Sequence, residues 1–281
     1  MKDLAILIPV YNDSTALVDT LDSIQEDDNS FTVVVVDDGS ETPVQVPESR
    51  YPFVIRLLRM EKNGGIIAAL NHGLAHICEE GFRLVARLDA ADFNRPHRFS
   101  IQYRHLKENP SLALLGSNVV FRDEQNGEPL FTTNLPLRPE STRRWIELRT
   151  AFIHPAVMMR TEVVRGLGFY DADYRHIEDY VLFYRIAKRH DAANLMDPLV
   201  DCFVRKNGIS RRHHRSQLLS GIRFKLRHPR LFDPLWYAYL LKRVSFLVVP
   251  HSLRDTVKSL LGLTKRSSET PTPLSSLPEH P

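Results

Sequence analysis

Cysteine is almost missing from this chain. Cys78 and Cys202 are the only two in 281 residues, and nothing in their spacing pairs them, so a disulfide framework is excluded and a reducing, cytosolic compartment is expected. Long apolar runs are missing too. A membrane-spanning helix needs about 20 largely uncharged residues, and the nearest approach, Leu231 to Pro250, is interrupted by Asp233, Pro234, Lys242 and Arg243. Nor does a secretory leader open the chain: Met1-Lys2-Asp3 passes straight into Leu4 to Val10, too short and wrongly flanked, so a core strand is expected at the start. No Gly-x-Gly-x-x-Gly follows that first run, and Gly166-Leu167-Gly168 lacks the third glycine and comes late. A dinucleotide oxidoreductase is therefore disfavoured. A Gly-Lys-Ser/Thr phosphate loop is absent, as is the basic glycine-rich loop that a nucleotidyltransferase needs near its first strand.

What is present alternates. Leu4 to Val10 reads as a strand, and Leu17, Val18, Leu21 and Ile24 give helical spacing behind Asn12 or Ser14 as the cap. Val33 to Val36 reads as a strand buried on both faces, because an unbroken β-branched run suits the middle of a parallel sheet. Prolines 43, 47 and 52 mark a loop before a strand at Val54 to Leu58. A glycine-opened helix with Ile66, Leu70, Leu74 and Cys78 on one face follows, then a strand from Leu84 to Leu88. Four strands with helices after the first and the third predict a mainly parallel, doubly wound α/β sheet. Beyond it, strands are expected at Leu112 to Phe121, Val157 to Arg160 and Leu199 to Val204, with a helix from Glu178 to about His190.

The net charge is only +3, but it is unevenly placed. Fifteen Lys and Arg against Asp233 and Asp255 make residues 205–266 a +13 segment, which leaves 1–204 at −8. Aromatic and aliphatic residues are mixed into that basic stretch, among them Phe232, Trp236, Tyr237 and Tyr239. Two readings stand open: helices lying on an anionic bilayer surface, or helices packed on the preceding domain with a solvated basic face. The aromatic and aliphatic content favours lipid over nucleic acid. Past Ser267, prolines among Ser and Thr predict a disordered tail.

Four groups fall at expected strand ends or loops: Pro9-Val10-Tyr11-Asn12, Asp37-Asp38-Gly39-Ser40, Asn63-Gly64-Gly65 with Asn71-x-Gly73, and Asp89-Ala90-Ala91-Asp92. Each alone has a bland use as a turn or cap. Together, at the carboxyl ends of successive strands, they make a pocket with an aromatic ring, carboxylates and close backbone approach, which suits a nucleotide. Tyr11 is expected against the base, Asp37 or Asp38 accepting from base or ribose, and Gly64 and Gly65 near phosphate.

From Leu4 to Ser210 this ordered series resembles the family 2 glycosyltransferases, bacterial enzymes of the GT-A fold that move a sugar from a nucleotide donor. The resemblance adds Arg87-Leu88-Asp89, Gly168-Phe169-Tyr170-Asp171, Glu178-Asp179-Tyr180, and Arg205 with Gly208-Ile209-Ser210. It implies a Rossmann-like GT-A domain over residues 1–215, a basic helical extension over 216–266 and a tail over 267–281. It also implies Asp179 as catalytic base with Glu178 beside it, and a donor site drawing on Pro9, Tyr11, Asn12, Asp37, Asp38, Asn63, Gly65, Asn71, Arg87, Asp89 and Arg205. The expected activity is inverting transfer from a UDP- or dTDP-sugar to a cell-envelope glycan or glycolipid, by a cytoplasmic protein peripheral on the inner face of the membrane. The alternative is a non-catalytic nucleotide-sugar-binding module.

A carboxylate in the first turn of a helix is expected to stay ionised and ready to accept a proton. At the metal position the chain departs from the family's Asp-x-Asp, because Ala91 stands where the second Asp belongs. Mg²⁺ or Mn²⁺ is then expected to rely on Asp89 or Asp92 with phosphate oxygens, or to yield to Arg87, Arg205, Arg211 or Arg212 as counter-charges for the diphosphate. His213 and His214 are adjacent and read better as a solvated basic loop than as ligands. His154-Pro155, ahead of a strand, reads either as a group facing the acceptor or as a structural turn.

Overall fold

Seven consecutive buried residues, Leu4–Val10, form β1 in a computed structural model that describes residues 1–204 and 214–248. Parallel neighbours flank β1 on both sides: β2 (Thr32–Asp37) and β4 (Leu84–Arg87), with β3 (Val54–Arg59) beyond β2. Helices α1 (Ser14–Asp22) and α2 (Ile66–Glu79) make the crossovers. The four valines behave as expected: Val34 and Val36 enter one core, Val33 and Val35 the other. Register puts Val10 opposite Asp37 and Asp37 opposite Arg59, so three strands end level.

The second half widens this sheet. Its elements are β5 (Phe93–Asn94), α3 (Arg98–Glu108), β6 (Leu112–Asp123), β7 (Pro129–Thr132), α4 (Pro139–Trp145), β8 (Met158–Arg160), α5 (Thr161–Gly166), α6 (Glu178–Arg189) and β9 (Asp191–Val204). The nine strands run β3-β2-β1-β4-β8-β6-β9-β5, with β7 on β6. Here β8 is antiparallel to both neighbours, whereas β6 and β9 are parallel.

Several expectations need correction. The cap of α1 is Asp13, whose carboxylate accepts from the Ala16 amide at 3.3 Å, rather than Asn12 or Ser14. Strand β9 begins at Asp191, well before Leu199, because Pro198 falls where the β6–β9 register shifts and no ladder donor is required. Helix α3, which was not among the expected elements, has a short apolar stripe of Phe99, Tyr103 and Leu106, and its inward face also carries the buried Arg98 and Gln102. Gly73 is a packing residue: a Cβ there would lie 2.4 Å from a Leu7 methyl, so α2 owes its close approach to the sheet to this glycine.

After the undescribed stretch 205–213, α7 (His214–Arg227) and α8 (Pro234–Val248) pack back onto the domain. Phe224 meets Tyr174 at 5.3 Å and Tyr184 at 5.2 Å, and Tyr239 stacks on Tyr180 at 6.0 Å. Beneath them Glu147, 2% exposed, accepts from Lys225 at 2.6 Å and Arg230 at 3.0 Å and pairs with Lys188. Burial alone would raise the pKa of Glu147, but these cations hold it below the usual carboxylate range. The packed reading of the basic segment therefore holds for the inner face of residues 214–248. Residues 249–281, the expected tail among them, lie outside the described residues.

Because Lys225 is fully buried against Glu147, Glu147→Gln leaves an unpaired interior cation. A loss of roughly 3 kcal/mol or more in urea unfolding is expected.

Candidate functional site

The end of β2 is built from two carboxylates that hold loops. Asp37, 1% exposed, accepts from the amides of Ser40 at 2.8 Å and Val44 at 3.2 Å and from Arg59 at 2.6 Å. Burial opposes its ionisation, but the Ser40 bonds, the Val44 amide and the Arg59 charge outweigh it and lower its pKa. Asp38 accepts from the amides of Gly64 at 2.8 Å and Gly65 at 2.9 Å and from the Asn63 side chain at 3.1 Å. That clamp pulls the 62–65 loop onto the strand end. Gly39 is required there, since at φ +67 a Cβ would lie 2.4 Å from the Lys62 carbonyl carbon. Asp37, Asp38 and Asn63 are thus walls of the expected pocket whose polar atoms serve the protein's own loops.

Tyr11 stands at the end of β1 with 46% of its surface exposed, an open ring beside that wall. Asn12, at φ 52, donates its amide to the Ser40 hydroxyl at 2.9 Å, and its side chain accepts from the Glu41 amide at 2.9 Å. The β1 and β2 loops are in this way tied to each other.

At the end of β4, Arg87 is 1% exposed and donates to the Leu7 carbonyl at 3.1 Å, to the Leu88 carbonyl and to Asp89. The terminal nitrogens of Arg87 are thus directed to the protein's own carbonyls and to Asp89 rather than out toward a diphosphate. Arg205, Arg211, Arg212, His213 and the His214 side chain lie outside the described residues. The 89–92 turn is pinned by the buried Thr20, whose hydroxyl accepts from the Ala91 amide at 2.8 Å and donates to the Asp92 carbonyl at 3.0 Å. Ala91 is held there at φ 80. Thr20 was invisible to motif reading; its one signal is a polar residue on the inward face of α1. Asp92 accepts from the Phe203 amide at 3.1 Å, and burial, then the Asp89 charge, push its pKa up to about 8.

Helix α6 brings Glu178 and Asp179 to the same place. Burial and then Asp179 raise Glu178 to about 7, and its Oε2 has no hydrogen-bond partner. Burial likewise raises Asp179, against the Tyr180 amide bonded to it at 2.7 Å. The charge of Asp89 adds to both shifts. The helix terminus does not keep this pair in the ordinary carboxylate range as expected, because desolvation and mutual repulsion are larger. His154 Nε2 sits 2.7 Å from the Tyr170 hydroxyl, and burial, then Arg87, lower the imidazole to about 3, leaving it neutral. Asn71 is a further correction: its amide donates to the Tyr170 carbonyl at 2.8 Å and accepts from the Tyr170 amide at 3.0 Å. It anchors the 168–171 segment rather than lining the donor pocket.

Two clefts, of about 470 and 380 Å³, open elsewhere, around Arg160 and Glu162 where β4 begins and β8 ends. Neither includes a residue of the site.

Residues 5–168 match the model of a family described as glycosyl transferase family 2. The chain belongs to that family. It is 30% identical over 226 residues, 78% of this chain and 82% of the relative, to an amylovoran biosynthesis glycosyltransferase, AmsE, of Erwinia amylovora. A second relative is the UDP-Gal:alpha-D-GlcNAc-diphosphoundecaprenol beta-1,3-galactosyltransferase of Escherichia coli, 29% identical over 68% of this chain and 69% of its own. Among solved structures, S. aureus TarS 1-349 in complex with UDP-GlcNAc superposes with a TM-score of 0.66 at 18% identity, covering 93% of this chain and 80% of that one. The fold of this family 2 glycosyltransferase is accordingly GT-A.

The carboxylates at the end of β4 fit a divalent cation of limited protein ligation. Asp92 is raised by burial and then by the charge of Asp89, so a cation bound there would relieve part of that repulsion. Yet no group of three or more His, Cys, Asp or Glu able to hold a metal occurs among the described residues. Mg²⁺ typically takes one or two carboxylates and completes its shell with phosphate oxygens and water.

A carboxyl with a pKa raised on folding binds its proton more tightly in the folded state, so its contribution to stability is lost as pH rises through about 8. Asp92→Asn in chelator should therefore raise Tm by at least about 2 °C at pH 8, and the difference should vanish near pH 4, where both side chains are neutral.

Proposed function

We propose that this transferase works with inversion, moving a sugar from a UDP- or dTDP-sugar to a hydroxyl of a cell-envelope glycan. The observation that carries the reading is the convergence of the α6 carboxylates on Asp89: a candidate base and the strand end expected to face the diphosphate share one electrostatic neighbourhood. Tyr11 supplies an exposed face for the base, over loops fixed by Asp37 and Asp38. The relative that acts on a GlcNAc-diphosphoundecaprenol supports an acceptor of the lipid-linked envelope class.

The acceptor oxygen attacks the anomeric carbon from the face opposite the nucleotide. As the new C–O bond forms, the bond from that carbon to the diphosphate oxygen breaks, and the nucleoside diphosphate departs with the electron pair. Asp179 takes the hydroxyl proton. A base whose pKa is raised by burial suits this task, because it holds the proton well once transferred. Glu178 stands beside the base as a second carboxyl, raised by burial and then by the charge of Asp179, with its buried Oε2 unpartnered. Neutral His154, on the Tyr170 hydroxyl, holds the wall behind Arg87 and Asp89 without adding charge. Asp89 and Asp92 would hold a Mg²⁺ or Mn²⁺ ion, which when bound supplies positive charge to the leaving diphosphate.

Asp179→Asn should lower transfer at least about 10³-fold while leaving UDP binding by calorimetry within about twofold; normal turnover by this variant removes the base assignment. In wild type, kcat should rise with pH through an inflection above the ordinary carboxylate range, since burial raises Asp179. With only two carboxylates to hold it, the ion should depend on the diphosphate: Mn²⁺ alone should leave Tm unchanged and Mn²⁺ with UDP should raise it above UDP alone. In Asp92→Asn that increment should disappear.

A further inference from the structure

The inner faces of α7 and α8 are accounted for by the core, and the outer faces are not. Trp236 and Tyr239 of α8 are buried, whereas Tyr237, Leu241 and Val244 on another face of the same helix are 50%, 74% and 45% exposed. Their spacing of four and then three residues makes them one stripe. In the connection before α8, Leu231 is 62% exposed and Phe232 fully so. The Tyr237 hydroxyl donates to the Leu231 carbonyl at 3.0 Å, which joins tip and stripe. The charge of this segment is one-sided: residues 214–248 hold seven Lys and Arg against Asp233 alone, and while Arg227 is taken up by Asp173 and Arg230 by Glu147, Arg215, Arg223 and Lys242 are exposed. No described helix is long and apolar enough to cross a membrane.

We propose that the outer face of the α7–α8 hairpin is a bilayer-docking surface, with Leu231, Phe232 and the Tyr237–Leu241–Val244 stripe entering the headgroup boundary of an anionic membrane and the exposed cations of the segment meeting its lipid phosphates. Apolar contact combined with basic charge is what interfacial binding requires, since either alone gives marginal affinity. An apolar patch that meets water in a free protein is costly unless something covers it. The position of the hairpin gives the docking a use. Phe224 of α7 packs on Tyr174 and Tyr180, and Arg227 pairs with Asp173 at 2.8 Å, so α7 rests on the turn and helix that carry Glu178 and Asp179. Docking therefore brings the base close to the surface that would carry a lipid-linked acceptor. This use of the surface rests on the proposed acceptor class; the docking itself does not.

Co-sedimentation of the full chain with vesicles tests it. Wild type should bind phosphatidylcholine vesicles containing phosphatidylglycerol, bind pure phosphatidylcholine at least about tenfold more weakly, and be released as NaCl approaches about 1 M, where screening falls to about 3 Å. The double variant Phe232→Asp, Leu241→Asp should lose at least about tenfold in vesicle binding. Both side chains are exposed, so its thermal unfolding and its slow release of UDP from donor without acceptor should match wild type. Equal sedimentation of wild type and double variant overturns the proposal, as does equal binding to neutral and anionic vesicles. A dimer in light scattering that the double variant converts to monomer, without a change in vesicle binding, also overturns it and assigns the face to a second copy. Donor turnover reads the glycosyltransferase reading separately: its loss in wild type would count against that reading and leave the vesicle result standing.

Discussion

A buried guanidinium is the interaction on which the site depends. Arg87 has almost no contact with solvent, yet its bonds to the Leu7 carbonyl of β1, to the Leu88 carbonyl and to Asp89 join two strands and the first acid of the β4 end. Taking a cation out of water is expensive unless it is paired and bonded, so this arginine constrains everything around it. Its charge favours the ionised form of Asp92 and disfavours protonation of His154. Asp89 and Asp92 sit with this fixed positive charge beside them, and Glu178 and Asp179 feel the charge of Asp89 in turn.

Backbone strain follows the same geography. Non-glycine residues at positive φ include Asn12, Ala91, Phe169 and His176. Each adjoins a segment that forms the site. Such conformations cost of order 1–3 kcal/mol and persist only where neighbours over-determine them. Ser40 holds Asn12, Thr20 holds Ala91, and Asn71 grips Tyr170 next to Phe169. The pocket walls are therefore stiff before any donor arrives, which reduces the ordering cost of binding.

The basic extension is coupled to this centre through packing. Glu147 receives three cations, from α6, from α7 and from the connection to α8, and the aromatic cluster around Phe224 lies against the back of α6. The inner face of the hairpin thus packs directly on the helix that carries the α6 carboxylates.

The alternation of apolar runs and helical spacing was enough to read the parallel half of the sheet, because β-branched runs and glycine-opened helices are local signals. The order Tyr11, Asp37-Asp38, Asn63 and Asp89 was legible for the same reason: ligand sites of such sheets form at strand ends, and strand ends can be found from the chain alone. Other features had little or no local signal. Helix α3 buries polar residues, β9 crosses a proline through a register shift, and Thr20 acts on a turn about 70 residues away. The division of labour among site residues was also decided by the tertiary structure. Asn71 and Arg87 match the series by type and spacing, but hydrogen bonds to Tyr170 and to Leu7 turn them inward. Residue identity and order settled which groups reach the strand ends. Burial and long-range partners, which exist only once the chain is folded, decided which of them remain free to meet a substrate and how readily they hold a proton.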